Sequence, residues 1–374
     1  MPNLSLLKRM RRQLAKAGER ARRRWWLERP FSSAAGHRLL LLTEEGRIAK
    51  SQSQPFHFFA SELRRHKAAE VREVGLLAYL RNPKGFPRDA TVVFFQEHFH
   101  AKRERLEAVI DQIRLNNPQA RLVFLDWFAP TDLRLMESLE PHIHAYVKKH
   151  VFRDRSQYDR PTYGDTNLVD FYSRRYGLSE RTVHYKVSPT ALDKLVVGPS
   201  FLTADYMLRH FIRPLPPDRE RHIDVHARMA VRGSPWYERM RLECINAVAR
   251  VPGIKVAYGE RQEHELYLRE LRTSKICFSP FGYGEVCWRD FESIMCGAVL
   301  LKPDMSHIET RPDIFLPGET YVPVRWDLSD LEERIRELLA DPDRQRRIAS
   351  RASAVLRDYL QGSHFVDLVS SLID

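Results

Sequence analysis

The chain has 374 residues, of which 43% are hydrophobic and 29% charged; this is a soluble globular composition with room for two domain cores. No apolar run approaches the roughly 18 residues needed to span a bilayer, and no stretch reads as a secretory signal. Of the formal net charge of +12, residues 1–24 carry +8, from nine Lys or Arg against one Glu, so the rest of the chain is nearly balanced and is not expected to bind nucleic acid.

In the leader, residues 1–26, Leu4, Leu7, Met10 and Leu14 recur at helical spacing between Lys8, Arg9, Arg12 and Lys16, and Trp25 and Trp26 follow. A basic amphipathic helix ending in tryptophans suits an anionic membrane surface; the same residues also suit a solvated basic tail. From residue 36 short β-rich runs alternate with polar helical ones. Strands are expected at His37–Thr43, Val74–Leu80, Thr91–Gln96, Arg121–Asp126, Ala145–Lys149 and Lys194–Val197. Helices are expected at Ser61–Val71, Lys102–Leu115, Thr131–Leu139 and Asn167–Tyr176. The stretch 213–221 holds three prolines and is the best linker candidate.

A second alternation starts at strand Ile223–Val231. The helix Pro235–Arg250 follows, with Ser234 and Pro235 as its start. Strand Ile254–Ala257, helix Glu263–Ser274 and strand Lys275–Pro280 come next. The turn Gly282-Tyr283-Gly284 then leads into helix Val286–Cys296, stopped by Gly297, and strand Ala298–Leu301. Strand Thr320–Val324 and helices Leu328–Leu339 and Pro342–Tyr359 close the pattern. This predicts an α/β protein of two Rossmann-like domains facing a cleft, residues 36–212 and 222–345, with a helical tail at 346–374. The cysteines Cys244, Cys277, Cys287 and Cys296 form no C-x-x-C pair. They read as small buried hydrophobes of a reducing, cytoplasmic compartment, and no zinc site is expected.

The unit from residue 275 to 303 is the most informative. Glu285, Arg289 and Glu292 step along one helix face at spacings of four and three. They sit where a parallel sheet presents its strand ends and helix amino termini to anionic ligands. Arg289 and Glu292 also suit a plain structural pair, and a G-x-G turn alone is a weak signal.

The segments Ser279-Pro280-Phe281-Gly282-Tyr283-Gly284, Arg289-Asp290-Phe291-Glu292 and Cys296-Gly297-Ala298-Val299-Leu300-Leu301 resemble the donor-binding region of exostosin-like glycosyltransferases, which have the GT-B fold. The likeness covers about residues 223–330. It implies a nucleotide-sugar co-substrate on the C-terminal domain, no obligatory metal or other cofactor, and a glycan or lipid-linked glycan acceptor on the N-terminal domain. It also implies inversion at the transferred carbon. Retaining GT-B enzymes of the family 4 type carry two glutamates separated by seven residues; six separate Glu285 from Glu292.

Departure of a diphosphate needs cations and helix amino ends, and Arg228, Arg232 and Lys302 stand at or beyond expected strand ends. Glu292 suits ribose hydroxyls, Glu285 the sugar or nucleotide, and His307 the loop after Lys302. Gly282, Tyr283, Gly284 and Arg289 complete the expected donor set. Inversion also needs a base; Asp126, His98 and Glu97, at strand ends of the N-terminal domain, are the candidates. The alternative is a non-catalytic carbohydrate- or nucleotide-binding protein on the same scaffold. The expected activity is hexosyl or related glycosyl transfer in polysaccharide biosynthesis, on the inner face of a membrane held through the leader.

Overall fold

The computed structural model describes residues 29–201, 205–215, 220–259 and 262–374. The leader at 1–26 and positions 216–219 of the expected linker lie outside the described residues.

The N-terminal half carries β1 (His37–Thr43), β2 (Ala69–Gly75), β3 (Val92–Phe95), β4 (Arg121–Asp126), β5 (Ala145–Lys148), the short β6 (His150–Phe152), the two-residue strands β7 (Thr162–Tyr163) and β8 (Thr182–Val183), and β9 (Leu195–Val197). Six of these make one parallel sheet in the order β2-β1-β3-β4-β5-β9. Its central strands are near-continuous apolar runs because helices cover both faces. Leu39 to Leu42 and Val92 to Phe95 are fully buried, each side chain contributing about 1.5–3 kcal/mol of burial.

The C-terminal half repeats the plan. It has β10 (Ile223–Arg228), β11 (Val256–Gly259), β12 (Ser274–Phe278), β13 (Val299–Pro303), β14 (Ile308–Thr310) and β15 (Val322–Val324). Five form a parallel sheet in the order β11-β10-β12-β13-β15. The remaining strand, β14, crosses to the other half and pairs antiparallel with β6, with Thr310 opposite His150. A main-chain ladder therefore stitches the domains along one side of the cleft. The last helix, His364–Ile373, also returns to the N-terminal domain: the Phe365 ring stacks on Phe59 at 5.0 Å and meets Phe56 edge-on at 5.2 Å.

Three regions depart from the expected elements. The apolar run 76–80 is helix Leu76–Arg81, not strand, and the strand before it is the charged stretch Ala69–Gly75. β2 is a sheet edge, so its polar residues need no core; the helix buries Leu76 and Tyr79, one turn apart, against the sheet. The helix Lys50–Phe58 was not expected because three of its five buried residues, Ser51, Gln52 and Ser53, are polar. Gln52 is buried and its Nε2 donates to the Asp126 carbonyl at 2.6 Å. The helix expected at Thr131–Leu139 is confined to Met136–Leu139.

Candidate active site

A cleft of about 700 Å³ opens between the two sheets. The loop after β5 and the segment around Arg47 line it from the N-terminal domain. The C-terminal domain contributes the helix Pro235–Ala249, the end of β10 and the amino end of helix Trp288–Cys296. That last helix is well started. Cys287 is its N-cap, and Asp290 closes a capping box by accepting the Cys287 N–H at 2.8 Å. The remaining amino-terminal N–H groups and the helix dipole favour negative charge at this end of the cleft.

Three cations converge there. Lys149, Arg241 and Arg289 all line the cleft. Arg241 is 4% exposed, its Nε has no partner among the described residues, and its guanidinium lies 4.8 Å over the Tyr237 ring. Arg289 leaves Nε and Nη1 without a partner among the described residues. Lys149 is buried and has no carboxylate within ion-pairing distance among the described residues. Burial, and then the neighbouring Lys148 charge, pushes its pKa down to about 8. Burial and the Arg289 charge likewise push Arg241 down. Arg241 and Arg289 repel each other, Lys149 is repelled by Lys148, and such cations, buried or half-buried without a carboxylate ion pair among the described residues, are costly unless an anion joins them.

Further along the helix Glu292 is nearly buried. Its Oε1 accepts from the Tyr206 hydroxyl at 2.8 Å and lies 3.3 Å from His264 Nε2. It does not ion-pair with Arg289, so the helix-face pair suggested by their spacing is not formed. Arg228 lines the cleft, but its guanidinium grips Glu270 through Nε and Nη2, and Nη1 donates to the Tyr258 carbonyl at 2.9 Å.

Behind the cations lies a buried carboxylate. Glu285, 0% exposed, faces His150, whose Nε2 is 3.2 Å from Oε2, and His307, whose Nε2 is 3.9 Å from Oε1. The second distance is too long for a hydrogen bond. Burial alone would raise the Glu285 carboxyl, but the hydrogen bond to His150 and the nearby His307 hold it well below the usual carboxylate range. Burial lowers the His150 imidazole in spite of Glu285. His150 lines the cleft and its Nδ1 has no partner among the described residues. With the Nε2 proton directed at Glu285, Nδ1 is left as an acceptor.

Several expected site residues stand elsewhere. Asp126 is buried at the end of β4, where it accepts from Tyr146 at 2.8 Å, Lys148 at 2.6 Å and the Phe128 N–H at 2.8 Å; three donors occupy it. Glu97 accepts from Arg105 at 2.9 Å and from the His98 N–H at 3.0 Å. His98 is exposed and stacks on Phe99. None of these three lines the cleft.

Lys302 is 0% exposed and committed to Asp290, 3.1 Å away, so it holds the capping carboxylate rather than the cleft. Arg232 is exposed and does not line the cleft. Tyr283 stacks on Tyr237 at 4.6 Å and accepts the Ser234 N–H at 3.0 Å, which fixes the start of helix Pro235–Ala249. Gly282 and Gly284 bring main chain close: a Cβ on Gly284 would overlap the Ala129 carbonyl of the other domain. The structure thus brings together Arg289, Glu292 and Arg228 of the expected set, with Glu285 one layer behind. Sequence reasoning passed over Lys149, His150 and Arg241.

Residues 206–367 match a family model described as glycosyl transferase-like. No curated protein matches the sequence significantly. Among solved structures, an α-glucosyltransferase in complex with UDP is 11% identical, with a TM-score of 0.52 over 90% of this chain and 99% of that one. The same type of enzyme with UDP and a 13-mer DNA containing an HMU base gives 11% identity and a TM-score of 0.50 over 90% and 98%. The architecture is thus the GT-B fold, two Rossmann-like domains about a cleft.

Proposed function

We propose that the protein transfers a glycosyl group from a nucleoside diphosphate sugar to a hydroxyl of a glycan or glycolipid, with inversion at the transferred carbon. The observation that carries this reading is the trio Lys149, Arg241 and Arg289, cations without a carboxylate ion pair among the described residues, at a helix amino end. A departing diphosphate supplies the missing negative charge, and the trio supplies fixed positive charge where that anion develops. In this reading no metal is obligatory. Glu292, held by Tyr206 and His264, takes the ribose hydroxyls. His150 is the base: Glu285 orients Nε2 and Nδ1 accepts the acceptor proton. Asp126, His98 and Glu97 serve the N-terminal scaffold instead. Uridine nucleotides are the first to test, because both solved relatives were captured with UDP. The leader, outside the described residues, carries the expectation of an anionic membrane surface.

The test is a panel of nucleotides and nucleotide sugars on purified protein in a chelator, followed by calorimetric binding and donor turnover. One nucleotide sugar binds and is turned over. Glu292→Ala weakens the nucleoside diphosphate by about 1–3 kcal/mol while inorganic pyrophosphate binds as before. A panel in which no nucleotide binds overturns the reading. Binding without any turnover, with every acceptor class supplied, favours a non-catalytic binding protein.

A further inference from the structure

The four cysteines are not alike. Cys244, Cys277 and Cys296 are buried, and burial pushes each thiol up to about 12. Cys287 is half-buried and lines the cleft. Its sulfur is the N-cap acceptor of helix Trp288–Cys296 and sits 3.7 Å from the Pro280 carbonyl. The sulfur is 3.2 Å, and Arg241 Nη2 3.8 Å, from where a Cβ on Gly282 would stand, so the two groups flank one glycine. Independently of the thiol, Arg241 is 4% exposed with an unpartnered Nε on this end of the cleft, which marks the place as built for an anion. A helix amino end and nearby cations are the surroundings in which a cysteine sulfur attacks disulfides and electrophiles.

We propose that Cys287 is a modification site, at which thiol–disulfide exchange with a small disulfide closes the anion-binding end of the cleft. This rests on the diphosphate reading above. The Cys287 sulfur attacks one sulfur of the small disulfide, a new S–S bond forms, the old one breaks, and the released thiolate takes up the proton that Cys287 gave to solvent. No net oxidation beyond that exchange is needed, and a reducing thiol reverses it. The adduct stands among the three cations and occupies the volume a diphosphate needs. It also presses on the turn whose Gly284 abuts Ala129, since the sulfur is 4.0 Å from the Gly284 carbonyl. Closure of the seam and anion binding are lost together.

The test treats the native full chain with an aromatic disulfide and follows adducts by intact mass and pyrophosphate binding by calorimetry. Wild type takes up one adduct per chain, and Cys287→Ser takes up none; serine keeps an N-cap oxygen, so the helix start survives. Inorganic pyrophosphate at ten times its dissociation constant slows the reaction about tenfold by occupying the site. The adduct abolishes pyrophosphate binding, and a reducing thiol restores it. Treated Cys287→Ser binds pyrophosphate as it does untreated. No adduct on the native protein, or an adduct that persists in Cys287→Ser, overturns the proposal. So does an adduct that leaves pyrophosphate binding intact, which spares the diphosphate reading. Untreated wild type and Cys287→Ser that both fail to bind pyrophosphate overturn the diphosphate reading itself, and the switch with it.

Discussion

His150 and Glu285 belong to different domains, yet His150 Nε2 lies 3.2 Å from Glu285 Oε2 in a seam from which water is excluded. A histidine oriented by a buried carboxylate, with its other nitrogen facing a cleft, has the layout of a general base. His150→Ala should therefore lower the transfer rate by about 10²–10⁴ while donor affinity changes little. The proton balance gives a second readout. His150 must be neutral to act, and burial lowers its pKa from the ordinary 6.5. Activity should hold through neutral pH and fall only in acid, along a limb below the ordinary histidine range. Equal losses of donor binding and turnover would assign His150 to the scaffold.

Replacing Arg241 separates stability from binding. It is a buried cation with no carboxylate ion pair among the described residues, and exchange of such a group for an apolar one of similar length is often neutral or stabilising by about 1–4 kcal/mol. Arg241→Met should unfold at equal or higher denaturant than wild type. The same variant should lose about 2–5 kcal/mol of pyrophosphate affinity. A variant that is destabilised yet binds normally would place Arg241 outside the anion site.

Lys149 predicts a pH dependence in the opposite range. Its folded-state pKa of about 8 lies below the ordinary 10.5. The buried ammonium therefore costs stability below about pH 8, and the cost is relieved as pH rises from there toward 10.5, where the unfolded chain binds more protons. Diphosphate affinity moves the other way, weakening as Lys149 loses its proton. Calorimetry in buffers of different ionisation enthalpy should show proton uptake on pyrophosphate binding near pH 8, absent in Lys149→Met.

Lys302→Met tests a residue that stands at a strand end but faces inward. Removing it strands Asp290 in a fully buried position, at a cost of about 3–5 kcal/mol. The double change with Asp290→Asn should recover part of that loss in urea unfolding. Ordinary stability with reduced pyrophosphate affinity in Lys302→Met would return it to the phosphate site.

Gly284→Ala is a one-atom wedge. The added Cβ meets the main chain of Ala129 and Pro130, which cannot swing aside as a side chain could. A destabilisation of about 1–3 kcal/mol is expected, together with loss of the tight seam by scattering. An alanine variant as stable and compact as wild type would show that the seam has room to spare.

Much of the fold was legible because both sheets are parallel and buried. Runs such as Leu39–Leu42 and Val299–Leu301 can hardly be anything but covered strands, and the helices between them carry clear apolar stripes. The edge was not legible: β2 buries the charged Arg72 beside Val74 and so writes no clean apolar alternation into the sequence, and the apolar run after it belongs to a helix. In the cleft, Arg289 and Glu292 could be placed because helical spacing links them to a glycine turn. Lys302 misled because a strand end does not say which way a side chain points. Arg241 had a signal that went unused. It falls on the stripe formed by Tyr237, Met240, Cys244 and Val248, and a cation on the inward face of a helix needs a reason. His150 meets Glu285 only through the β6–β14 crossing, a contact between residues 135 positions apart that no local pattern contains.

The return of the last helix changes how the chain must be assembled. Phe56 and Phe59 are among the first aromatic residues made, and the ring that covers them, Phe365, is among the last. During synthesis the N-terminal domain waits, with an apolar patch uncovered, until the C-terminal domain is complete. A cut at residues 216–219 would not yield two self-sufficient halves, since the C-terminal fragment also carries the other domain's lid. Shortening the chain by its final ten residues should harm the N-terminal domain first, although every residue removed is encoded at the opposite end.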